Sequence, residues 1–506
     1  MTEQLALLPG YLTAHLQLAL SALLLGVLIS VPLGVLVSRR GWLEQPVLGI
    51  VGMVQTVPGL ALLAVMVPLL SLAGLPSIGF LPAFIGLLLY SLLPILRNTV
   101  TGLATVDQAC IEAARGVGMT PRQQLLRVEL PLAMPVIIAG IRTATVWTVG
   151  TATLSTPVGA TSLGNYIFSG LQTRNYTAVL VGCVACALLA LLLDALVRLV
   201  DVGWTRRRRG LLGLGLGVLG LLYAYAGGTL AQELLGARPA AITIGAKTFT
   251  EQYILAEILA GQIRQATGRD VRVVQSLGST VAFDALRSGE IDLYVEYSGT
   301  VWATLMKRAG KPPDRAEVAA AVVAFLRDRH GIAVVCALGF ENAYALAMRR
   351  DRAAELGVQR ISHLASVAPR LAIGGDYEFF DRVEWQSIRE SYGLEFRTRR
   401  SMDPSLMYQA VSQGTVDVIS AFSTDGRIAA LDLVLLEDDH GTIPPYDAII
   451  LASARLQSLR PEVIDALRAL GGRIDDDAMR RMNLAVDQDG RSPGEVAREF
   501  LRRQAH

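Results

Sequence analysis

The feature that most constrains this chain is a change of character near residue 231. Before it, six apolar runs come near the roughly 20 residues that a helix needs to cross a bilayer: 16–37, 47–70, 78–96, 134–155, 176–200 and 211–231. Beyond it, charges recur every few positions and no run is long enough to span. A composition of 52% hydrophobic and 18% charged residues is too apolar for a soluble protein and too polar for one embedded throughout; averaging two unlike parts explains it. The expected organisation is a membrane domain over 1–231, a linker over 232–240 and a soluble domain over 241–506.

The fourth run is the most polar, with Arg142, Thr143, Thr145, Thr148, Thr151 and Thr153, which suits lining a pathway or packing inside a bundle. Orientation follows from basic residues, which are retained in cytoplasmic loops. Arg39 and Arg40 follow the first run, Arg97 the third; Arg115, Arg122 and Arg127 precede the fourth, and RRRR at 206–209 separates the fifth from the sixth. All fall on one side if the N-terminus is outside, and six crossings then deliver 241–506 to the outer face. A multi-pass inner-membrane protein with its C-terminal domain outside the cytoplasm is expected. RRRR, held against the membrane, reads as a topology anchor rather than a nucleic-acid patch. The start of the chain lacks the basic residues of a cleavable signal, so the first run is expected to stay in the mature protein.

Cys183 and Cys186 form a C-x-x-C inside an apolar run without further ligands, Cys110 lies in a loop, and Cys336 stands alone in the outer domain. His15, His330, His363, His440 and His506 are scattered. No metal site and no catalytic residue is expected.

Between the third and fourth runs the chain reads EAARGVGMTPRQQLLRVELP (112–131), a polar interruption on the cytoplasmic side. Its pattern of Glu112, Ala113 and Ala114, then Gly118, then Leu130 and Pro131 resembles the EAA signature of ABC importer permeases. The resemblance implies a short helix, a turn at the glycine and a second helix, docked in a groove of a separate ATPase. Gly118 permits a turn that a side chain would hinder, and Pro131 is expected to begin the next helix. No G-x-x-x-x-G-K-[ST] phosphate loop occurs in the sequence. ATP hydrolysis is thus expected from a partner subunit, with no cofactor on this chain and two copies pairing around the pathway as a homodimer.

In the outer domain, β-rich apolar runs at 241–245, 271–275, 291–297, 331–338, 370–375 and 416–422 alternate with helical patterns, which predicts an α/β fold. Roughly 265 residues exceed a comfortable single core, so two lobes with a cleft, closing by hinge motion, are expected. The segments IGAKTFTEQYILAEILA, LGSTVAFDALRSGEIDLYVEYSGT, GFENAYALA, AFSTDGRIAALDLVLLEDD and PPYDAIIL resemble the binding proteins for glycine betaine, carnitine and choline of the osmoprotectant uptake family. A permease fused to its binding domain is a known architecture there. The fold implied is an all-α six-helix transmembrane permease domain followed by an α/β two-lobed periplasmic-binding-protein domain. The function implied is ATP-driven import of quaternary-ammonium compounds, with ergothioneine import by the same architecture as the alternative.

Such a ligand's cationic head cannot donate a hydrogen bond, so aromatic faces must hold it. The resemblance carries that role to Tyr297 in VEYSGT, Tyr344 in ENAYAL, Tyr408 in SLMYQAV and Phe422 in AFSTDG. Beside them Ser298, Asn342, Ser423, Thr424 and Asp425 are expected to orient the ligand. Lys247 and Thr248, at the start of a helix expected over 249–263, suit a carboxylate by charge and by helix dipole. The Phe422 position is often tyrosine in this family, and GGDYEFF (374–380) varies among its members, which keeps ergothioneine open as the ligand. A membrane-anchored hydrolase would need a nucleophile such as a G-x-S-x-G elbow, which the sequence lacks. A ligand-sensing receptor would need a cytoplasmic output domain, and the loops are too short to hold one.

The orientation predicts that a membrane-impermeant thiol reagent applied from outside labels a cysteine introduced in 241–506 but not one at Thr205, beside the RRRR run. Labelling in the reverse sense would overturn the scheme.

Overall fold

A computed structural model describes residues 2–173, 175–235, 241–308, 312–377 and 379–504. It divides into two compact units, Met1–Phe168 with Thr177–Pro239, and Ala240–His506 with Ser169–Tyr176.

Among the described residues of the first unit, five helices are long and apolar enough to cross a membrane: Leu5–Arg39, Phe80–Ala104, Pro121–Val158, Tyr176–Thr205 and Arg209–Gln232. The straight span expected over 47–70 is instead a pair of helices, Gly41–Thr56 and Gly59–Leu72, bent by 100°. Pro58 causes the break. A proline disfavours the helical conformation in the residue before it, and Val57 is accordingly extended at φ −73° and ψ 127°. Counting the bent pair as one span gives six. The last helix runs on to Leu235, so 232–235 of the expected linker are helical, and 236–240 lie outside the described residues.

Small residues and one ion pair knit these helices together. A Cβ on Gly140 would stand 2.7 Å from the carbonyl oxygen of Pro94, so the helices Phe80–Ala104 and Leu130–Ala152 approach almost backbone to backbone. Arg142 donates two hydrogen bonds to Asp194, at 2.9 and 3.0 Å, joining Leu130–Ala152 to Tyr176–Thr205. Two charges on apolar helices thereby satisfy one another.

The described residues of the second unit form ten strands: β1 (Ile242–Lys247), β2 (Val271–Leu277), β3 (Leu293–Tyr297), β4 (Ala333–Glu341), β5 (Tyr344–Arg349), β6 (Ala372–Gly375), β7 (Thr398–Ser401), β8 (Val418–Phe422), β9 (Leu433–Leu436) and β10 (Asp447–Ala452). They form two five-stranded sheets, ordered β2-β1-β3-β10-β4 and β7-β6-β8-β5-β9. The six sequence-predicted strands are all present, joined by β5, β7, β9 and β10. Because β1–β4 and β10 build one sheet and β5–β9 the other, the chain crosses between lobes twice, at 342–343 and over 437–446. In each lobe parallel strands at one end meet an antiparallel partner at the other, β10 beside β3 in the first and β5 beside β8 in the second. The helix Thr250–Thr267 follows β1 and buries eleven side chains, anchoring the first lobe.

Gly339 gives β4 a kink that no other residue would tolerate. Its φ is +115°, and a Cβ there would lie 2.9 Å from Gly472 Cα and from the Ile474 carbonyl oxygen. Gly268, at φ +65°, would place an added methyl in open space, with nothing within 4 Å. Gly339→Ala should therefore destabilise the unit by roughly 2–4 kcal/mol and Gly268→Ala by about 1 kcal/mol, read as the loss in thermal unfolding of the purified full-length protein. Equal effects would refute the packing argument.

Candidate functional site

Strand register brings the first two aromatic candidates together, since Tyr344 of β5 pairs with Phe422 of β8. Their ring centroids are 4.9 Å apart. Phe422 stacks on Phe249 at 5.9 Å and 8°, and Phe249 on Tyr297, at the end of β3, at 6.2 Å. This row of rings crosses from one lobe to the other, because Phe249 and Tyr297 belong to the first and Tyr344 and Phe422 to the second. Phe379 and Tyr446 extend it, each 5.7 Å from Tyr344.

Beneath Tyr297 lies a buried carboxylate, Glu251, in the first turn of the helix Thr250–Thr267. One oxygen accepts from Tyr297 Oη at 2.5 Å and from Asn342 Nδ2 at 2.9 Å. The other accepts from Thr424 Oγ1 at 2.5 Å and Asn483 Nδ2 at 3.2 Å. Burial pushes the Glu251 carboxyl above the usual range, and these four donors pull against that shift. Burial also raises the Tyr297 phenol well above its ordinary value, helped by the adjacent Glu251 charge.

The polar candidates sort into several groups. Asn342 and Thr424 sit on Glu251, as above. Lys247 is buried, with its ammonium bonded to Glu296 and 5.2 Å from the Tyr297 ring centroid. Thr248 is half-buried just before the helix, which runs Thr250–Thr267 rather than over 249–263. Ser298 Oγ donates to the Pro445 carbonyl at 2.8 Å and accepts from Asp447 N at 2.9 Å. Ser423 Oγ accepts from Ala343 N at 3.0 Å and donates to the Glu341 carbonyl at 3.2 Å. Both serines thus fasten backbone where strands change lobes.

Tyr408 and Asp425 lie within the second lobe behind the row, with the Tyr408 hydroxyl beside Asp425 and the Phe422 backbone. Tyr408 is buried in the second lobe's own core with Met407, Val411 and Ile419. The Arg427 guanidinium lies 3.9 Å from its ring centroid, and Asp425 forms an ion pair with that guanidinium. Burial works against the Arg427 charge, but Asp425 beside it holds its pKa above the ordinary value.

The 112–131 stretch forms a helix, Gln108–Gly116, capped by Asp107, whose carboxylate accepts from Ala109 N. A turn follows at Gly118, where φ is +80°. The next helix begins at Pro121, with Thr120 and Gln123 in a reciprocal capping box, ten residues before the start expected at Pro131. A π-helical turn over Leu125–Glu129 leads into Leu130–Ala152. The wider turn lets the helix pass through Pro131, which has no N–H for the usual ladder. Ile111 packs inward with Leu103, Val106, Ala133 and Ile137, and Ala114 is buried. Glu112, Ala113, Gly118 and the apolar Val117 and Leu126 face outward; Leu130 and Pro131 are half-buried.

Two family models match. Residues 23–206 match the inner membrane component of binding-protein-dependent transport systems, and 240–503 match the substrate binding domain of the ABC-type glycine betaine transport system. The ergothioneine transport permease/ergothioneine binding protein of Helicobacter pylori (strain G27) is 31% identical over 494 residues, 95% of this chain and 87% of that protein. The chain belongs to the ABC importers, as a permease fused to its own substrate-binding domain. The choline transport system permease protein of Bacillus subtilis (strain 168) is 43% identical over 37% of this chain and 83% of its own length. The carnitine transport binding protein of Listeria monocytogenes serotype 1/2a (strain 10403S) is 33% identical over 52% of the chain and 86% of its own length.

This importer subunit is therefore a multi-pass inner-membrane protein that works with a partner ATPase. Several residues of its candidate site escaped the sequence reading. Phe249 lies within KTFTEQ, read for its polar residues; Tyr446 lies in PPYDAIIL, read only as a family segment. Arg382 had no local signal, yet its guanidinium sits 5.4 Å from the Tyr344 ring centroid and donates to Thr304 Oγ1 of the other lobe at 3.2 Å.

The outward face of the 108–124 region is where a motor would push. Glu112→Lys should abolish uptake in vesicles containing the ATPase while leaving ligand binding by the full-length protein unchanged. Gly118→Leu, forced to hold φ near +80°, should do the same. Normal uptake by both variants would mean the coupling assignment is wrong.

Proposed function

We propose that this importer subunit captures trimethylammonium compounds outside the cytoplasm and passes them through its own membrane domain. The observation that carries this reading is the row Tyr297, Phe249, Phe422 and Tyr344, contributed by both lobes. A quaternary ammonium is attracted to aromatic faces and asks for no hydrogen-bond acceptor. On entering, it would part the Phe249 and Phe422 rings and be enclosed as the lobes close about the two crossing segments. Lys247 and Arg382, at the two ends of the row, supply positive charge for a ligand carboxylate, although Glu296 already shares the Lys247 ammonium and Glu384 lies 3.9 Å from the Arg382 guanidinium. Ser298, Ser423 and Asp425 hold backbone and the Arg427 side chain in place, and Tyr408 supports the second lobe.

Glycine betaine, carnitine and choline all present the required head group, as do the ligands named for the choline and carnitine relatives. Ergothioneine is the second reading, favoured by the fused relative that matches 95% of the chain. It carries the same trimethylammonium on a different polar end. The working assembly is a homodimer, with permease domain 1–231, linker 232–240 and binding domain 241–506 on the outer side. ATP is hydrolysed by the partner, and this chain performs no covalent chemistry.

Calorimetry on the full-length protein in detergent, with glycine betaine, carnitine, choline and ergothioneine, ranks these ligands. Tyr344→Leu keeps an apolar wall but removes a π face, so the preferred ligand should bind about 0.5–2 kcal/mol more weakly, roughly two- to thirty-fold. Unmethylated analogues should bind worse than trimethylated ones. Equal binding of both, or no loss in the variant, would return these rings to a packing role.

A further inference from the structure

Glu251 presents a physical problem that its surroundings leave unsolved. It is 2% exposed, and the groups bonded to its two oxygens are a phenol, a hydroxyl and two amides: Tyr297, Thr424, Asn342 and Asn483. None of them carries positive charge. Neighbouring buried acids are treated differently, since Glu296 is paired with Lys247 and Asp425 with Arg427. A carboxylate taken out of water without a counter-charge is costly even when hydrogen-bonded. The two amide nitrogens can only donate, so half of its partners cannot take a proton from it, and the donor set favours the ionised form.

We infer that Glu251 is a positioning residue that makes the aromatic site selective for cations, with the ligand's own ammonium supplying the missing counter-charge. The inference rests on the aromatic row being the ligand site. Two effects act through Tyr297. Its hydroxyl donates to the carboxylate, which pushes electron density onto the ring and strengthens its attraction for a cation on its face. The charge itself also lies one ring away through a water-poor interior, where Coulomb attraction falls off slowly. The other charges beside Tyr297, Lys247 and Glu296, are bonded to each other, so the local balance is one uncompensated negative charge. The same carboxylate gathers donors from both lobes, Tyr297 and Asn483 from the first, Thr424 from the second and Asn342 from the crossing. The full set of donors is therefore in place only when the lobes meet as they do here.

The test compares each cation with its uncharged carbon isostere on the full-length protein in detergent: choline against 3,3-dimethyl-1-butanol, and glycine betaine against 3,3-dimethylbutanoate. The ratio of affinities within a pair isolates charge from shape. Wild type should favour the ammonium member, and Glu251→Gln should cut that ratio by about tenfold or more, a Coulomb effect at this separation. A merely structural role would weaken both members alike and leave the ratio unchanged, which would overturn the inference. Tyr297→Phe keeps the ring but severs it from Glu251; it should lower the ratio in the same sense by about two- to fivefold, and it decides the matter if Glu251→Gln does not fold. Should wild type itself show no preference for the ammonium in either pair, the aromatic site reading fails, and this inference with it.

Discussion

A carboxylate buried away from water must be surrounded by donors, and meeting that demand at Glu251 fixes how the binding unit comes together. Its four hydrogen bonds reach the end of β3 through Tyr297, the crossing between lobes through Asn342, the turn after β8 through Thr424, and the helix Asp476–Asp487 through Asn483. No two of these are close in sequence. Separating the lobes would strip Thr424 from one oxygen and strain the Asn342 bond to the other, and an unmet buried charge is a far larger penalty than a lost surface contact. The row of rings lies directly above this node, so its geometry is inherited from the same constraint. Tyr297 belongs to both: its hydroxyl serves the carboxylate while its ring stacks with Phe249.

The membrane unit answers to a different solvent. Hydrocarbon offers the backbone no hydrogen bonds, so the chain stays helical wherever it crosses, and departures from the helix carry identifiable causes. Pro58 breaks one span, and the π-helical turn before Pro131 absorbs another proline without a break. From Pro121 to Val158 the chain then forms one helical rod, with the exposed face of the 112–124 region at its start and Arg142 further along. The ion pair with Asp194 ties that rod to Tyr176–Thr205, so a displacement at its start is shared by at least two spans rather than lost to bending. Near the rod's start, Glu129 is held by Arg39 at 2.6 Å and by Gln124, which links it to the first helix as well.

Much of this was legible because the responsible residues carry their signal locally. Apolar runs announce spans by length alone, and the polar 112–131 stretch stands out against them. Six strands were visible as β-rich apolar runs. β7 was not, because as an edge strand its side chains, TRRS, are all exposed and show no apolar face; β9 is only four residues long. The bend at Pro58 was hidden by the continuous apolarity on both sides of it. Glu251 and Arg382 were invisible for a deeper reason. Their importance comes from partners dozens to hundreds of residues away, and nothing in the immediate sequence of an acid or a base reports which distant donors or rings will surround it.

Tyr408 and Tyr344 illustrate how far identical side chains can diverge once that environment is known. Each is a buried tyrosine with an arginine near its face, but Arg427 lies 3.9 Å from the Tyr408 centroid and is neutralised by Asp425 two residues away. That ring already has its cation, covalently tethered and charge-balanced, and a ligand would have to displace both members of an ion pair to reach it. Arg382 stands further from Tyr344, at 5.4 Å, lies 3.9 Å from the Glu384 carboxylate and also donates to Thr304 on the opposite lobe. The two rings therefore differ in how near the arginine stands and in what else holds it, since Arg427 stays within its own lobe whereas Arg382 also reaches Thr304 of the other.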